Sequence, residues 1–254
     1  MRETDAMFSP RLVPTDADGV HLLEDGGARG GGVLVAFGDR RGGTSAPPYD
    51  TLNLSLRSSD DPGCVEENRR RAAGAAGFDP SVLALARQVH GTHIVEVNPG
   101  DSGVVAEADG LVVRRPGPVV GILTADCTPV VVAGATGIAI LHAGWRGLAA
   151  GIVEKGVEMV GEVSAAWVGP AVRACCYTVG REVVDAFSAR GLPVAAEDRV
   201  DPSDAAVAML RACAVERVAR AEVCTMCDPN YFSYRRDGVT GRQGAFAGLL
   251  AATK

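Results

Sequence analysis

Six short apolar segments between residues 94 and 170 constrain the fold of this chain more than any other feature. They are rich in β-branched residues and are separated by Gly, Pro or Asp: IVEVN, GLVV, PVVGILT, PVVVAG, GIAILHAG and AAWVGP. Segments of this kind predict the strands of a substantial sheet. The longest apolar run, residues 117–141, is interrupted by Asp126, Thr128 and Pro129, whereas a membrane helix needs about 20 uninterrupted apolar residues. The run therefore predicts buried strands, and we expect no membrane contact.

Helical spacing of apolar residues surrounds these segments. It predicts a helix that ends near Gly77 and further helices at residues 145–163, at about 180–190 and at 203–220. The ending, residues 231–250, predicts an aromatic-rich strand, a DG turn and a final strand or helix.

No repeat, low-complexity tract or Pro-rich linker divides the chain. The alternation of strands and helices predicts an α/β (mixed α+β) fold with layered mixed β-sheets flanked by helices, forming a single domain over residues 33–254. Residues 1–32 are polar and end in GGARGGG, which predicts a flexible N-terminal arm. The segment that follows the first strand is dense in Gly, Pro and Asn and predicts a long surface loop.

Composition limits the partners. The chain has 25 Lys and Arg against 31 Asp and Glu, a net charge of −6, so no overall basic field favours nucleic acid or an anionic membrane. Seven cysteines and an opening without a basic segment followed by an apolar core indicate reduced thiols and a cytoplasmic location. We therefore expect small-molecule partners, with any anion met by local cations.

Three candidate functional residues interrupt apolar stretches: His90, Cys127 and His142. Two imidazoles and one thiolate suit an open zinc site, in which the fourth position is left for water or substrate. Without metal, the same residues suit a Cys127 nucleophile with His142 as its base, because both lie on adjacent predicted strands. A buried thiol with two core histidines is the structural alternative.

His93 and Asp126 are polar neighbours of these three residues. His93 is three residues from His90 and would point to the opposite face of a strand, so His90 is the expected ligand. Asp126 precedes Cys127 at a strand end, where it could hydrogen-bond a ligand histidine, transfer a proton or cap the turn.

The LHAGWRG segment predicts a strand that ends at His142 and a helix that begins directly after it. Backbone donors near residues 144–147 would then face an anion, reinforced by Arg146, while Trp145 could stack on a planar ring. A core Trp145 and a solvated Arg146 are the alternative. No GxxxxGK[ST] or strand-borne GxGxxG occurs, so neither a P-loop kinase nor a Rossmann dehydrogenase is indicated.

The remaining cysteines include a C-x-x-C pair, Cys224 and Cys227, and the adjacent Cys175 and Cys176. No second C-x-x-C or nearby His completes a closed zinc site in the sequence, so we expect buried or loosely packed thiols.

Several motifs in fixed order resemble the multicopper polyphenol oxidoreductase, or laccase-domain, family. They are RRGGTS at 40–45, YDTLNLS at 49–55, ENRRR at 67–71, QVHGT at 88–92, ADG at 108–110, ADCTPV at 125–130, HAGWRG at 142–147, VGP at 168–170, CYTVG at 176–180 and FSYRRDGVTGRQ at 232–243. The resemblance implies His90, Cys127 and His142 as ligands of zinc, with copper as the alternative metal. Several coppers would require more His than the four present.

Family members are described as purine nucleoside phosphorylases and, in one bacterial branch, as peptidoglycan editing factors. The resemblance therefore implies zinc-dependent phosphorolysis of adenosine, inosine and 5′-methylthioadenosine, with adenosine deamination as a second activity. The implied fold is also seen in cysteine-dependent glutamine deamidases, so a Cys-His amide hydrolase that edits cell-wall precursors is an alternative. Copper-dependent phenol oxidation and a non-enzymatic nucleotide sensor are the others.

If the protein acts on purine nucleosides, the residues expected at the reacting centre are His90, Cys127, His142 and Asp126. The candidates to hold phosphate are Arg40, Arg146 and Arg235, and Tyr234 or Trp145 would stack on the base. The chain reads GDRRGGTS and YTVG where the family usually has TTR-x-GGVS and YEVG, and Arg40 takes the place of the family's arginine.

Overall fold

The computed structural model describes residues 9–251. Its strands are β1 (Val13–Ala17), β2 (Val20–Glu24), β3 (Val33–Gly38), β4 (Leu83–Arg87), β5 (Ile94–Val97), β6 (Gly103–Glu107), β7 (Gly110–Val113), β8 (Val119–Thr124), β9 (Thr128–Gly134), β10 (Gly137–Ala143), β11 (Val163–Val168), β12 (Val194–Ala196), β13 (Arg199–Val200), β14 (Val218–Arg220) and β15 (Gln243–Leu249). Its helices are α1 (Gly26–Gly30), α2 (Pro62–Ala75), α3 (Trp145–Ala149), α4 (Ile152–Val160), α5 (Arg181–Ala189), α6 (Pro202–Ala212) and α7 (Tyr234–Asp237), with a short 3-10 turn at Pro80–Val82.

Two mixed sheets form the centre of the fold. The first has the strand order β1-β2-β3-β15-β8-β4-β6 and the second β14-β11-β9-β10-β7-β5, while β12 and β13 form a separate hairpin. All six apolar segments between residues 94 and 170 are strands of these sheets, as the sequence predicts.

The apolar side chains are buried in three layers. Phe37, Ile122, Ile140 and Trp167 belong to the cluster between the two sheets. The outer face of the second sheet packs on α3 to α6, and the outer face of the first packs on α2. Because both faces of each sheet are covered, the central strands can be apolar on both sides. The predicted layered, single-domain α/β architecture is confirmed.

The described part of the N-terminal segment differs from the predicted flexible arm. Strands β1 and β2 form a hairpin that extends the first sheet through pairing of β2 with β3. Asp25 is buried and caps α1, and its carboxylate also accepts hydrogen bonds from the Arg11 backbone and from Trp167 Nε1 at 2.7 and 2.8 Å. These contacts anchor the segment. Residues 1–8 of the predicted arm lie outside the described residues.

Three predicted elements have different bounds or types. The helix expected over residues 145–163 is divided into α3 and α4, because Gly151 adopts a left-handed φ of 87°. The helix expected over 203–220 ends at Ala212, and β14 follows it. The aromatic segment expected as a strand forms α7, where the Ser233 side chain caps the Arg236 amide. In the latter two, tertiary packing overrides the local pattern.

Within residues 9–251, none of the helices combines the length and apolar character needed to cross a bilayer.

Replacing Asp25 by Ala tests how firmly the N-terminal segment belongs to the fold. The variant leaves the buried Trp167 indole and two backbone amides without this acceptor, so we expect a loss of about 3 kcal/mol in the free energy of unfolding. Urea denaturation measures the loss. Asp185→Ala, at an exposed position on α5, is the control and should change stability by less than about 0.5 kcal/mol. A loss for Asp25→Ala as small as the control's would mean that the segment is only loosely attached.

Candidate active site

Three connections between the two sheets meet at one end of the sandwich. They follow the parallel strands β4, β6 and β8 of the first sheet and lead into β5, β7 and β9 of the second. His90 lies on the first connection, Asp109 on the second and Cys127 on the third. His142, near the end of β10, joins them because β10 pairs with both β7 and β9. The topology thus gathers residues that are far apart in sequence.

His90, Cys127 and His142 form a compact cluster. One potential ligand atom from each lies within 4.8 Å of the others, and the two imidazole rings meet edge to face with centroids 4.9 Å apart. His142 is buried, Cys127 is half-buried and His90 is exposed. Gly144 makes this approach possible, since a Cβ there would lie 3.2 Å from Cys127 Sγ and 3.3 Å from a ring carbon of His90.

The carboxylate of Asp109 holds two of these residues in place. It accepts hydrogen bonds from the backbone amides of Val89, His90 and Gly91, the last two at 2.8 and 2.6 Å. His90 has a left-handed φ of 63°, which few non-glycine residues adopt. The same carboxylate lies 2.8 Å from His142 Nδ1, so Nδ1 carries the proton and Nε2 is left for the cluster.

The electrostatics of the group favour an ion pair. Burial opposes ionisation of Cys127, but the charge of His142 and hydrogen bonds from both histidines lower the pKa of Cys127 to about 6. Burial likewise opposes protonation of His142, yet the Cys127 thiolate and Asp109 raise the pKa of His142 to about 9. Desolvation of Asp109 is outweighed by His142 and the loop amides, which lower the pKa of Asp109 to about 2.

The donor set fits an open metal site. Two imidazole nitrogens and one thiolate are ligands that zinc accepts, and three protein ligands leave a fourth position free. The Asp109–His142 contact is the carboxylate–histidine arrangement that commonly orients a ligand histidine. His93, by contrast, is exposed and its Nδ1 lies 3.1 Å from the Glu107 carbonyl. The choice of His90 over His93 therefore agrees with the geometry.

A cavity of about 1030 Å³ opens beside the cluster. Among residues 9–251, four arginines line it, and Asp126 is the one acidic side chain in the lining. The arginines are Arg57, Arg146, Arg235 and Arg242. Tyr49, Trp145, Tyr177 and Tyr234 supply aromatic surface. In a chain with a net charge of −6, this cationic lining is a local feature suited to an anionic ligand.

Arg146 and Arg235 each stack on an aromatic ring of the cavity. The Arg146 guanidinium lies 4.2 Å from the centre of the Trp145 ring, and that of Arg235 lies 4.7 Å from the centre of Tyr177. Stacking orients a guanidinium and leaves its N–H edges available for other bonds. Tyr234 is 58% exposed. Four of the predicted substrate-binding residues, Trp145, Arg146, Tyr234 and Arg235, therefore share one cavity.

Arg40 is the exception and does not line the cavity. Its guanidinium donates to the Asp50 carbonyl, forms an ion pair with the Asp50 carboxylate at 3.0 Å and lies over the Phe232 ring. These contacts make Arg40 a support for the long loop and direct its guanidinium away from the cavity that holds the other predicted phosphate-binding arginines. Arg242 and Arg57 occupy the cavity instead. Burial lowers the pKa of Arg242.

Asp126 lines the cavity next to Cys127. It does not form the hydrogen bond to a ligand histidine that is one of the roles the sequence suggests for it. Its carboxylate accepts hydrogen bonds from Thr225 Oγ1 at 2.7 Å and from the Arg235 backbone at 2.9 Å. His142 is supported by Asp109, a residue that is not among the site residues predicted from the sequence. The ADG motif could have predicted this contact. Its Asp109 directly precedes β7, and β7 pairs with the end of β10 that carries His142.

Comparison with known proteins places this geometry in a family. Residues 34–250 match the family described as multi-copper polyphenol oxidoreductase laccase. The chain is 38% identical over 232 residues to Purine nucleoside phosphorylase YfiH of Escherichia coli (strain K12), covering 86% of this chain and 95% of that protein. It is also 38% identical to Purine nucleoside phosphorylase SCO2081 of Streptomyces coelicolor, with 86% and 96% coverage.

Two solved structures have the same fold as this chain. YlmD from Geobacillus stearothermophilus superposes with a TM-score of 0.86 at 31% identity, covering 95% of this chain and all of that one. A YfiH protein from Bacillus licheniformis superposes with a TM-score of 0.83 at 29% identity, covering 92% and 97%. The chain belongs to the laccase-like multi-copper polyphenol oxidoreductase family.

The lowered pKa of Cys127 predicts how the metal-free protein reacts with iodoacetamide. The thiolate persists above about pH 6 and is lost below it, so the alkylation rate of the Cys127 peptide should have its midpoint near that pH. Mass spectrometry of the peptide measures the rate. In His142→Asn, which removes the cationic partner, the midpoint should move toward the ~8.5 of a free cysteine. The same midpoint in both proteins would contradict the pairing.

Proposed function

We propose that this protein is a zinc-dependent purine nucleoside phosphorylase that acts on adenosine, inosine and 5′-methylthioadenosine, with adenosine deamination as a second activity. One observation carries the proposal: three potential metal ligands, four arginines and four aromatic rings among the described residues line a single cavity. The curated relatives named as purine nucleoside phosphorylases support it.

The cavity offers separate surfaces for the two substrates. Phosphate would bind the stacked guanidinium groups of Arg146 and Arg235 through charge-assisted hydrogen bonds. One face of Trp145 is already covered by Arg146, so Tyr234 is the freer ring for stacking on the purine. Arg242 adds a third positive charge near Cys127.

His90, Cys127 and His142 would hold zinc, and Asp109 would orient His142. When bound, zinc supplies a Lewis acid and lowers the pKa of water in the open position. Copper in a multi-copper arrangement has less support, because two of the four histidines have other surroundings: His21 pairs with Asp16 and His93 lies at the Glu107 carbonyl.

In phosphorolysis, a phosphate oxygen forms a bond to the ribose C1′ while the bond from C1′ to the purine N9 breaks, and the base leaves with a proton. The arginines would position the phosphate for this displacement. In deamination, water replaces the C6 amino group and ammonia leaves. Asp126 is our candidate for proton transfer in both reactions, because its buried carboxylate lines the cavity beside Cys127.

The protein should release adenine from adenosine only when phosphate is present, as measured by liquid chromatography. Arg146→Ala should raise KM for phosphate about tenfold or more, since a hydrogen bond to a charged group contributes about 1.5–3 kcal/mol, with a much smaller change in KM for adenosine. Arg181→Ala removes an exposed arginine outside the cavity lining and serves as the control. Equal losses for both substrates would make Arg146 a structural residue. Absence of adenine and inosine at every zinc load would refute the nucleoside proposal.

One observation also favours a second candidate, a Cys-His amide hydrolase acting on cell-wall precursors. Without metal, Cys127, His142 and Asp109 form a thiolate, an imidazolium and a supporting carboxylate in the order of a nucleophilic triad. The two functions demand opposite states of Cys127, because a metal-bound thiolate is shielded from electrophiles.

Chelation separates the candidates. Under the zinc proposal, removing metal abolishes nucleoside turnover and exposes Cys127 to iodoacetamide, and restoring zinc reverses both changes. Under the hydrolase alternative, the stripped protein releases product from a muropeptide at full rate until Cys127 is alkylated. The second result would replace the proposed function.

A further inference from the structure

Four cysteines converge at a place that the sequence presents as two unrelated pairs. Cys175 and Cys176 lie between β11 and α5, and Cys224 and Cys227 follow β14. β11 and β14 are parallel neighbours, and their pairing continues to a bridge between Ala171 and Cys224. Both loops therefore leave the same end of the sheet. The sequence predicts buried or loosely packed thiols around the C-x-x-C pair, whereas the structure brings in two further cysteines from the adjacent loop.

The sulfur atoms have the spacing of a metal tetrahedron. Cys176 Sγ lies 3.3 Å from Cys224, 3.6 Å from Cys227 and 3.8 Å from Cys175, and the Cys175–Cys227 separation is 3.6 Å. All four sulfurs lie within 4.8 Å of one another. In a tetrahedron with zinc–sulfur bonds of about 2.3 Å, the sulfurs are about 3.8 Å apart. A disulfide would instead require about 2.05 Å.

The surroundings suit an anionic thiolate cluster. The Arg173 backbone amide points at Cys224 Sγ from 3.4 Å. Arg199 donates to the Cys175 carbonyl, and Arg236 donates to the carbonyls of Thr225 and Met226 within the C-x-x-C loop. Amide donors and nearby cations stabilise the negative charge that four thiolates retain after a divalent ion binds.

The structure assigns a second metal site to Cys175, Cys176, Cys224 and Cys227, a closed four-cysteine site for zinc. Four sulfur ligands fill the tetrahedron and leave no position for substrate, so the site is structural. Tetrahedral thiolate sites select zinc among the ions without redox chemistry. As each sulfur binds the ion, its thiol proton passes to the solvent.

This site supports the wall of the cavity. Thr225, between the two cysteines of the C-x-x-C pair, donates its hydroxyl to the Asp126 carboxylate. Tyr177 directly follows Cys176 and carries the stacked Arg235. An ion bound to the four sulfurs would fix both loops, and thereby the positions of Asp126 and Arg235, without contacting substrate.

Cys127→Ser protein, purified with a reductant and without chelator, tests the assignment while leaving the four cysteines intact. It should retain about one zinc per chain by elemental analysis, and X-ray absorption should show four sulfur ligands at about 2.3 Å. The wild-type protein should hold about one zinc more. Adding Cys224→Ser and Cys227→Ser to Cys127→Ser should remove the remaining zinc, whereas adding Cys64→Ser on α2 should not.

The contrary outcomes are equally distinct. Cys127→Ser protein without zinc, with zinc bound by nitrogen or oxygen, with iron in its place, or with disulfides among the four cysteines would overturn the assignment. The zinc count requires no turnover, so failure of nucleoside phosphorolysis would leave this result unaffected.

Discussion

The buried carboxylate of Asp109 is the interaction on which the candidate active site depends. It binds three consecutive amides of the loop that presents His90 and the ring of His142. A single acceptor thus sets the backbone of one ligand loop and the tautomer of another ligand. Its backbone carbonyl also accepts the His142 amide at 2.7 Å. Because Asp109 lies on the connection from β6 of the first sheet to β7 of the second, the geometry of the site is coupled to the packing of the sandwich.

The sequence predicts the strands of both sheets and the cluster of candidate metal ligands, for a physical reason. Strands buried on both faces are nearly continuous apolar runs, so a polar residue such as Cys127 or His142 is conspicuous at their ends. The layered fold and the cluster of His90 with these two residues could be predicted on that basis. Arg40 could not be separated from Arg242, because both are arginines in polar loops and only tertiary contacts place one inside the cavity.

Long-range pairing explains most of the remaining differences. The four-cysteine cluster depends on the parallel pairing of β11 with β14, which are separated in the chain by α5 and α6. The spacing of apolar residues within a segment does not indicate which distant strand pairs with it. For the same reason, the contact of Asp25 with Trp167 could not be predicted from the sequence. In both sites, the ends of neighbouring strands bring soft ligands together at one edge of a sheet. The site of His90, Cys127 and His142 opens to the cavity, whereas the four-cysteine site is closed.

The concentration of zinc that protects Cys127 from iodoacetamide, read on its peptide by mass spectrometry, tests the role of Asp109 most directly. In the wild type both carboxylate oxygens of Asp109 accept hydrogen bonds. Asp109→Asn replaces one of these oxygens by an NH2 group, which cannot accept them, so His142 and the His90 loop lose their alignment. Protection should then require about 10–100 times more zinc, the usual cost of removing such a support. Asp185→Asn, at an exposed position on α5, should match the wild type. Equal protection of Asp109→Asn and wild type would contradict the account.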